Sequence, residues 1–258
     1  MRVAIAGAGG KMGRTLIDAV AADASLTLAA AFDVAGSPAI GTVLGGVTIG
    51  SDVRRALAAA DVMIDFTRPE GTLAHTEACL AAGKSMVIGT TGFTSEQTAR
   101  IAQAARKIPI VMSPNFAVGV NVVFRLAEIA ALALGDAYDV EIVEAHHRQK
   151  IDAPSGTALA LGRVIAKALD RELDQVAMHG RSGDVGARPA KQIGFHAVRG
   201  GDIVGEHMVI FAGTGERVEV AVRSQSRMTY AGGALRAAKF LAGKANGLYD
   251  MREVLALR

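Results

Sequence analysis

Cysteine occurs once in this chain, at Cys79, tryptophan is absent, and all aromatic residues together make up 4% of 258 positions. A single thiol excludes an internal disulfide and fits a reducing compartment, so the cytoplasm is the expected location. With so few rings, Ala, Val, Ile and Leu must fill the core, as they do in proteins built on a buried parallel sheet. No run of sequence reads as the roughly 18 apolar residues that a bilayer crossing needs, so no membrane partner is expected. The start, MRVAIAGAGGKMG, places one positive charge before an apolar stretch. Glycines cut that stretch and a helical pattern follows at once, so it reads as a first strand and not as a targeting segment. The net charge of +3 comes from scattered basic residues, with no basic run interleaved with aromatics, which speaks against nucleic acid. Half of the residues are hydrophobic and 21% are charged, an ordinary globular composition.

The first half alternates strand-like and helix-like stretches. RVAIAG is a short β-branched run that passes through glycines into KMGRTLIDAVAA, where Met12, Leu16, Ala19 and Val20 recur at helical spacing. LTLAAAFD, DVMIDFT, SMVIGTTG and IPIVMS read as further strands, with helices through LAHTEACLAA and SEQTARIAQAARK between them. Repeated βα units of this kind imply a parallel, doubly wound sheet. Beyond about residue 116 the texture changes. NVVFRLAEIAALAL reads as a helix and YDVEIVEAH as a strand. QIGFHAVRG, EHMVIFAG and ERVEVAVRS alternate with a period of two, as in an antiparallel sheet. A last helical region, TYAGGALRAAKFLAGK, closes the chain. Arg181 to Gln192, rich in Gly and Arg, reads either as a solvated loop or as one that closes over a ligand or a neighbouring subunit.

Gly7, Ala8, Gly9, Gly10, Lys11, Met12 and Gly13 approach the dinucleotide fingerprint, with the third glycine one residue late. Their context, strand before and helix after, offers helix N–H groups and a positive dipole end to a pyrophosphate. Asp33 ends the second strand, where a carboxylate accepts hydrogen bonds from an adenosine ribose. Val34 follows it with no arginine to pair with a 2′-phosphate, so NADH is expected over NADPH. Gly89, Thr90, Thr91 and Gly92, and Ser113, Pro114, Asn115 and Phe116, follow strands of the same sheet, at the edge where such folds bind ligands.

EAHHRQKIDAPSGTA, Glu144 to Ala158, concentrates unusual chemistry: two of only six histidines stand side by side before a lysine and a helix start. His146 and His147 point to opposite sides of a strand and cannot easily share one metal, and no further ligands occur at suitable spacing, so no metal is expected. Ser155 is a good N-cap for a helix whose apolar face is Ala158, Leu161, Ile165 and Ala168. The first N–H groups of that helix, with the Thr157 hydroxyl, suit a substrate carboxylate. A histidine beside that anion holds its proton more readily and acts as a general acid. These residues together describe the reduction of a small carboxylated substrate by a nicotinamide hydride and a histidine proton.

The assembled motifs closely resemble those of the 4-hydroxy-tetrahydrodipicolinate reductase family, formerly called dihydrodipicolinate reductases. The resemblance rests on VAIAGAGGKMGR, IDFTRPEGT, VIGTTGF, NFAVGVNV, EAHHRQKIDAPSGTA, GDIVGEH and SRMTYAGGA, nearly end to end. It implies a Rossmann-like parallel domain over 1–116, completed by C-terminal helices over 227–258. An α+β domain over 117–226, with a mixed or antiparallel sheet, would bind substrate and assemble a homotetramer. The implied reaction is NAD(P)H-dependent reduction of a hydroxylated cyclic dicarboxylate, with loss of water, in diaminopimelate and lysine biosynthesis. By position in the motif, His146 would be the proton donor and Lys150 its catalytic partner, while His147, Gly156 and Thr157 would bind substrate carboxylates. Gly7 to Met12, Asp33, Gly89 to Thr91 and Ser113 to Phe116 would line the cofactor site. Asp33 stands where many members carry Glu, and Val34 replaces a basic residue often found beside it. Ser113-Pro114 stands where small residues are common, with little consequence if the backbone makes the contacts.

Three rivals are weaker. A semialdehyde dehydrogenase needs a reactive cysteine in a loop, whereas Cys79 sits in a helical run and reads as a small buried apolar residue. A dinucleotide-sensing regulator has no need of the His-His-x-x-Lys block. An imine reductase acting on another dicarboxylate is set aside by the family resemblance alone.

Overall fold

The computed structural model describes residues 1–257 and divides into two compact units, Met1–Val118 with the segment from Arg227 onward, and Gly119–Ser226. The first unit opens with β1 (Arg2–Ala6), α1 (Lys11–Ala21), β2 (Thr27–Phe32), the short β3 (Val43–Leu44) and β4 (Val47–Thr48), and α2 (Val53–Ala59). It continues through β5 (Val62–Asp65), α3 (Pro69–Ala82), β6 (Ser85–Ile88), α4 (Ser95–Ala105) and β7 (Pro109–Met112). The second unit runs through α5 (Val118–Leu134), β8 (Asp139–His146), α6 (Gly156–Ala168), α7 (Leu173–Val176), β9 (Ala177–His179), β10 (Ile193–Arg199), β11 (Gly205–Ala212) and β12 (Arg217–Ser224). The chain then returns to the first unit as α8 (Met228–Phe240), β13 (Gly247–Tyr249) and α9 (Met251–Val254).

The first sheet has six strands in the order β13-β7-β6-β5-β1-β2, every neighbour parallel. Its strands are short and apolar on both sides because both faces are covered. Along β1, Val3 and Ile5 join the core formed with α1 and α8, while Ala4 and Ala6 join the one formed with α2, α3 and α4. Strand order reverses between β2 and β5 on either side of β1, which places a crevice at the carboxyl ends of these strands. The C-terminal region has only helical periodicity in its sequence. The structure adds β13 at the sheet edge, three residues whose pairing to β7 no local pattern announces.

The second sheet is mixed, in the order β12-β11-β8-β10-β9. β11 pairs antiparallel with both β12 and β8, as the two-residue alternation suggests, but β10 runs parallel to β8. A parallel neighbour needs a long crossover, and α6 and α7 supply it. Val140 and Ile142, Phe195, and Val209 and Phe211 face the core with Leu161 and Ile165 of α6 and Val123 and Ala127 of α5. The loop between β9 and β10 is pinned to the other side of β8: Arg181 and Arg188 both reach Glu141, at 2.9 and 2.8 Å.

One expectation needs correction. Val118–Ala137, which is α5 and the turn after it, is 20 residues long with mean hydropathy 1.7, enough by length and composition to cross a membrane. Asn121, Arg125 and Glu128 interrupt it, so it contains no unbroken apolar run of that length. Arg125 and Glu128 pair with each other at 3.2 Å, and Ala127 and Ala131 are buried while Leu126, Ile129 and Leu132 are exposed.

Candidate functional sites

The glycine loop forms a cradle at the end of β1. Gly7 has φ +66°, a left-handed conformation that other residues resist. A Cβ on Gly9 would lie 2.6 Å from Ala39 Cβ and 2.7 Å from Asp33 Oδ2, and one on Gly13 would lie 2.1 Å from the Gly7 carbonyl oxygen. Gly13, one residue later than the usual fingerprint, is therefore the glycine that lets α1 pack onto its own loop. Gly10 is the N-cap of α1 with extended backbone and no side chain of its own to cap the helix. The Gly9 amide donates to Asp33 Oδ2 at 2.8 Å, and the Val34 amide to Asp33 Oδ1 at 2.8 Å.

Not every residue of the expected cofactor set offers a side chain. Lys11 is exposed and Met12 half-buried in the first turn of α1. Ala8 and Phe116 are 0% and 1% exposed, with the Phe116 ring against Phe66 at 5.4 Å, so they can present only backbone. Thr91 and Pro114 are exposed and Gly89 is half-buried. The buried Thr90 hydroxyl accepts from Thr72 at 2.8 Å. The loop after β7 holds its own shape: Ser113 Oγ donates to the Asn115 carbonyl at 2.9 Å, and Asn115 Oδ1 accepts from the Ala117 amide at 2.9 Å.

Sequence reasoning missed a polar network beneath this cradle. Asp65, the last residue of β5, is fully buried; its Oδ1 accepts from the Thr67 amide and hydroxyl, both at 2.7 Å, and its Oδ2 from His75 Nδ1 at 2.7 Å. The His75 ring meets Phe32 edge-on at 5.1 Å, and the Thr67 methyl lies 2.8 Å from where a Cβ on Gly7 would stand. A buried carboxylate must be fully hydrogen-bonded, and this one ties the ends of β1, β2 and β5 together. An Asp closing the apolar run Val62-Met63-Ile64 was the available signal.

In the second unit the site gathers at the end of β8. Glu144 is 1% exposed, and its Oε2 accepts from His146 Nδ1 at 2.6 Å. Arg199, at the end of β10, grips the same carboxylate with both terminal nitrogens, each at 2.7 Å. Glu144 Oε1 also accepts from the Ser155 amide at 3.1 Å. Ser155 caps α6, accepting from the Ala158 amide at 3.1 Å, and its hydroxyl meets His207 Nε2 at 2.9 Å. The hydroxyl can donate to Nε2 or accept from it, according to the His207 tautomer. Burial, with His146 close by, lowers the His207 pKa to about 4. The two imidazoles meet edge-on at 5.1 Å.

Burial pushes the Glu144 pKa up, but the bonds from Arg199, His146 and Ser155 outweigh it and hold the group ionised below its usual range. An ionised carboxylate only accepts, so His146 carries a hydrogen on Nδ1 and its Nε2 is the nitrogen open to chemistry. Without a substrate anion beside it, the His146 pKa lies below its ordinary value. Burial lowers its pKa, and the cations of Lys150 and Arg199 oppose the raising effect of Glu144. His147 Nδ1 is buried with no hydrogen-bonding partner among the described residues, and Lys150 Nζ pairs with Asp152 at 2.8 Å. Gly156 is exposed at the first position of α6, with nothing within 4 Å of an added Cβ, and Thr157 beside it is half-buried.

Comparison with known proteins gives a consistent result. The family profile described as "Dihydrodipicolinate reductase, N-terminus" matches residues 1–116, and "Dihydrodipicolinate reductase, C-terminus" matches 119–255. The 4-hydroxy-tetrahydrodipicolinate reductase of Aromatoleum aromaticum is 56% identical over 265 aligned positions, covering 100% of this chain and 96% of that one. Its counterpart in Cupriavidus metallidurans is 54% identical, covering 100% of both. The solved structure of a dipicolinate-bound dihydrodipicolinate reductase from Paenisporosarcina sp. TG-14 superposes with a TM-score of 0.80 at 27% identity, covering 98% of each chain.

Proposed function

This chain belongs to the dihydrodipicolinate reductase family, and from that premise we propose how its residues divide the work. The reaction is the NAD(P)H-dependent reduction of 4-hydroxy-tetrahydrodipicolinate to tetrahydrodipicolinate, with loss of water, in diaminopimelate and lysine biosynthesis. The glycine cradle, closed to any Cβ at Gly9 and Gly13, fits a dinucleotide: Gly7 to Met12 hold the pyrophosphate at the start of α1. Asp33 takes the adenosine ribose, and the loops at Gly89 to Thr91 and Ser113 to Phe116 line the rest. NADH is preferred, because the Asp33 carboxylate repels a 2′-phosphate and the residue after it, Val34, supplies no cation. The bound cofactor supplies hydride.

His146 is the proton donor, through Nε2. Its lowered pKa means that it stands neutral before substrate arrives. A dicarboxylate brings negative charge beside it, which favours the imidazolium and supplies the proton where it is used. Lys150 is its partner, an ammonium free to exchange Asp152 for a substrate carboxylate. Gly156, Thr157 and His147 receive the carboxylates. The observation that carries this assignment is the buried, unpartnered Nδ1 of His147. Such an atom costs about 1–3 kcal/mol unless something bonds it, and a substrate oxygen does so.

The protein works in the cytoplasm as a homotetramer. Assembly uses the side of the second sheet opposite its core, where Val143, Ala145, Met208, Ile210 and Ala221 alternate with the buried residues.

The test is nicotinamide oxidation with substrate made in situ from pyruvate and aspartate semialdehyde by the preceding synthase. His146→Ala and Lys150→Ala are expected to lose about 10²–10⁴ in kcat while retaining NADH binding. Full turnover by folded His146→Ala would remove the assignment.

A further inference from the structure

Glu144 lies on the same strand as His146, two residues before it, and the proposed mechanism gives it no part. The register of the second sheet brings it a partner. β10 runs parallel to β8 with Ala197 opposite Glu144 and Arg199 opposite His146, so the guanidinium arrives at the strand end where the carboxylate and the imidazole emerge. Arg199 is itself tied down, to the carbonyls of Val198 and Asp152, each at 2.7 Å. Its planar fork spans both oxygens of Glu144, which fixes the plane of the carboxylate. Each oxygen then has one further bond to give. Oε2 takes His146 Nδ1, and Oε1 takes the amide of Ser155, the residue that caps α6. One buried carboxylate therefore touches both the imidazole and the start of the helix.

We propose that Glu144 and Arg199 are positioning residues for this reaction. Arg199 aims and neutralises the carboxylate, and Glu144 holds Nε2 of His146 in fixed relation to the first turn of α6, where the substrate's carboxylate docks. This rests on His146 as proton donor. The pairing has an electrostatic consequence as well as a geometric one. A carboxylate 2.6 Å from Nδ1 favours the imidazolium, and burial opposes it first, with the cations of Lys150 and Arg199 adding to that opposition. Arg199 thus lets Glu144 orient the ring while offsetting part of its charge, so protonation waits for the substrate. The charged and titratable groups facing His146 are Glu144 on its own strand, Arg199 from β10, Lys150 from the loop after β8, and the neutral His207 from β11.

The experiment is the pH profile of kcat for five variants beside wild type. A donor must be protonated in the complex, so kcat falls on the alkaline side as His146 loses its proton. Glu144→Gln keeps an acceptor for Nδ1 and removes the negative charge; its alkaline limb should move down by about one pH unit. Arg199→Met removes a cation and leaves Glu144 unneutralised; its limb should move up by about one unit. Arg199→Lys keeps the charge without the fork and should restore the wild-type limb at reduced kcat. The double variant Glu144→Gln/Arg199→Met removes both charges, and its limb should return close to wild type with kcat still low. If Arg199→Met does not fold, the opposed behaviour of Glu144→Gln and the double variant carries the same test. An NMR titration of the His146 ring in each folded protein reads the shift without turnover. Lowered rates with every limb and ring titration unmoved would assign the pair a purely structural role and overturn the proposal. His146→Ala separates the two ideas. If it retains both rate and limb, the proton-donor assignment fails. If it loses both while the limbs of the Glu144 and Arg199 variants stay put, only the positioning proposal fails.

Discussion

The amide of Gly9 donates to Asp33 Oδ2 at 2.8 Å, so the glycine turn proposed to hold a pyrophosphate and the carboxylate proposed to take a ribose are bonded to each other. That oxygen retains a second acceptor site, and Oδ1, engaged by the Val34 amide, retains another. The carboxylate can accept ribose hydroxyls without giving up either bond. A 2′-phosphate meets a like charge instead, and the Val34 side chain, 74% exposed, supplies no cation. Wild-type kcat/KM is expected to favour NADH by about tenfold or more, equivalent to about 1.4 kcal/mol. Asp33→Asn keeps an acceptor for the Gly9 amide and loses the charge, so it should raise kcat/KM for NADPH by about tenfold. Paired steady-state measurements decide it; equal wild-type values for the two cofactors would sink the role given to Asp33.

Stability should fall on mild acidification, and His207 is the cause. Its pKa falls from 6.5 to about 4 in the folded protein, burial first and the neighbouring His146 second. Between those values the unfolded chain binds a proton that the folded one refuses, so stability rises with pH across this window and is lost as pH falls through it. The full effect is on the order of 3 kcal/mol. Glu144 acts in the same direction at lower pH: its depressed pKa stabilises the fold above the ordinary carboxylate range, and that contribution is lost as the group protonates. Urea unfolding at pH 7 and pH 5 should show the loss. His207→Gln, which can still exchange a hydrogen bond with Ser155 in either direction, should flatten that part of the dependence while leaving the carboxylate part in place.

What the sequence disclosed, and what it hid, follows from the range of the interactions involved. The glycine loop, Asp33, the Ser155 cap and the βα alternation are legible because each depends on neighbours within one turn or one strand. Five strands of the six-stranded parallel sheet follow from that alternation, and the edge strand β13 does not. The partners of the histidine block lie far away: Arg199 is 55 residues from Glu144, and His207 is 52 from Ser155. Only the parallel register of β10 on β8 brings the first pair together, and periodicity along one strand says nothing about which strand lies beside it. Glu144 stood in plain view next to the histidines, but a Glu in a half-alternating strand looks like a solvent-facing residue until its burial is known. The downward His146 shift in the free protein is hidden for the same reason. Adjacent charge is visible in a sequence, while burial and the countercharge from β10 are not.

Cys79 should be inert in the folded protein. It is 0% exposed on α3, and burial, with the Asp65 charge adding to it, pushes the thiol up to about 12. The thiolate is the reactive form, so almost none exists at neutral pH. A thiol reagent should find no site in native protein and one after denaturation, with activity untouched in the first case. Cys79→Ala should keep wild-type kcat and lose about 1 kcal/mol of stability to the small cavity. Rapid native labelling accompanied by inactivation would revive a cysteine-based mechanism.

Two glycine-to-alanine changes should separate architecture from substrate contact. At Gly13 a Cβ would fall 2.1 Å from the Gly7 carbonyl oxygen and 2.8 Å from Ala8 Cα, both backbone atoms that cannot step aside. Gly13→Ala is therefore expected to shift α1 off its loop, costing about 1–3 kcal/mol of stability and weakening NADH binding. At Gly156 a Cβ would meet nothing within 4 Å, and the residue opens a helix with φ outside the left-handed range, so the fold places no demand for glycine there. Alanine is if anything the better helix former, by up to roughly 1 kcal/mol. Gly156→Ala should leave the thermal midpoint unchanged or slightly raised. It should also raise KM for the dicarboxylate by about tenfold, because the new methyl occupies the approach to the first turn of α6. NADH affinity, measured by fluorescence, should not move. A wild-type KM in Gly156→Ala would mean that the substrate carboxylate docks elsewhere, and the unpartnered nitrogen of His147 would then need a different ligand.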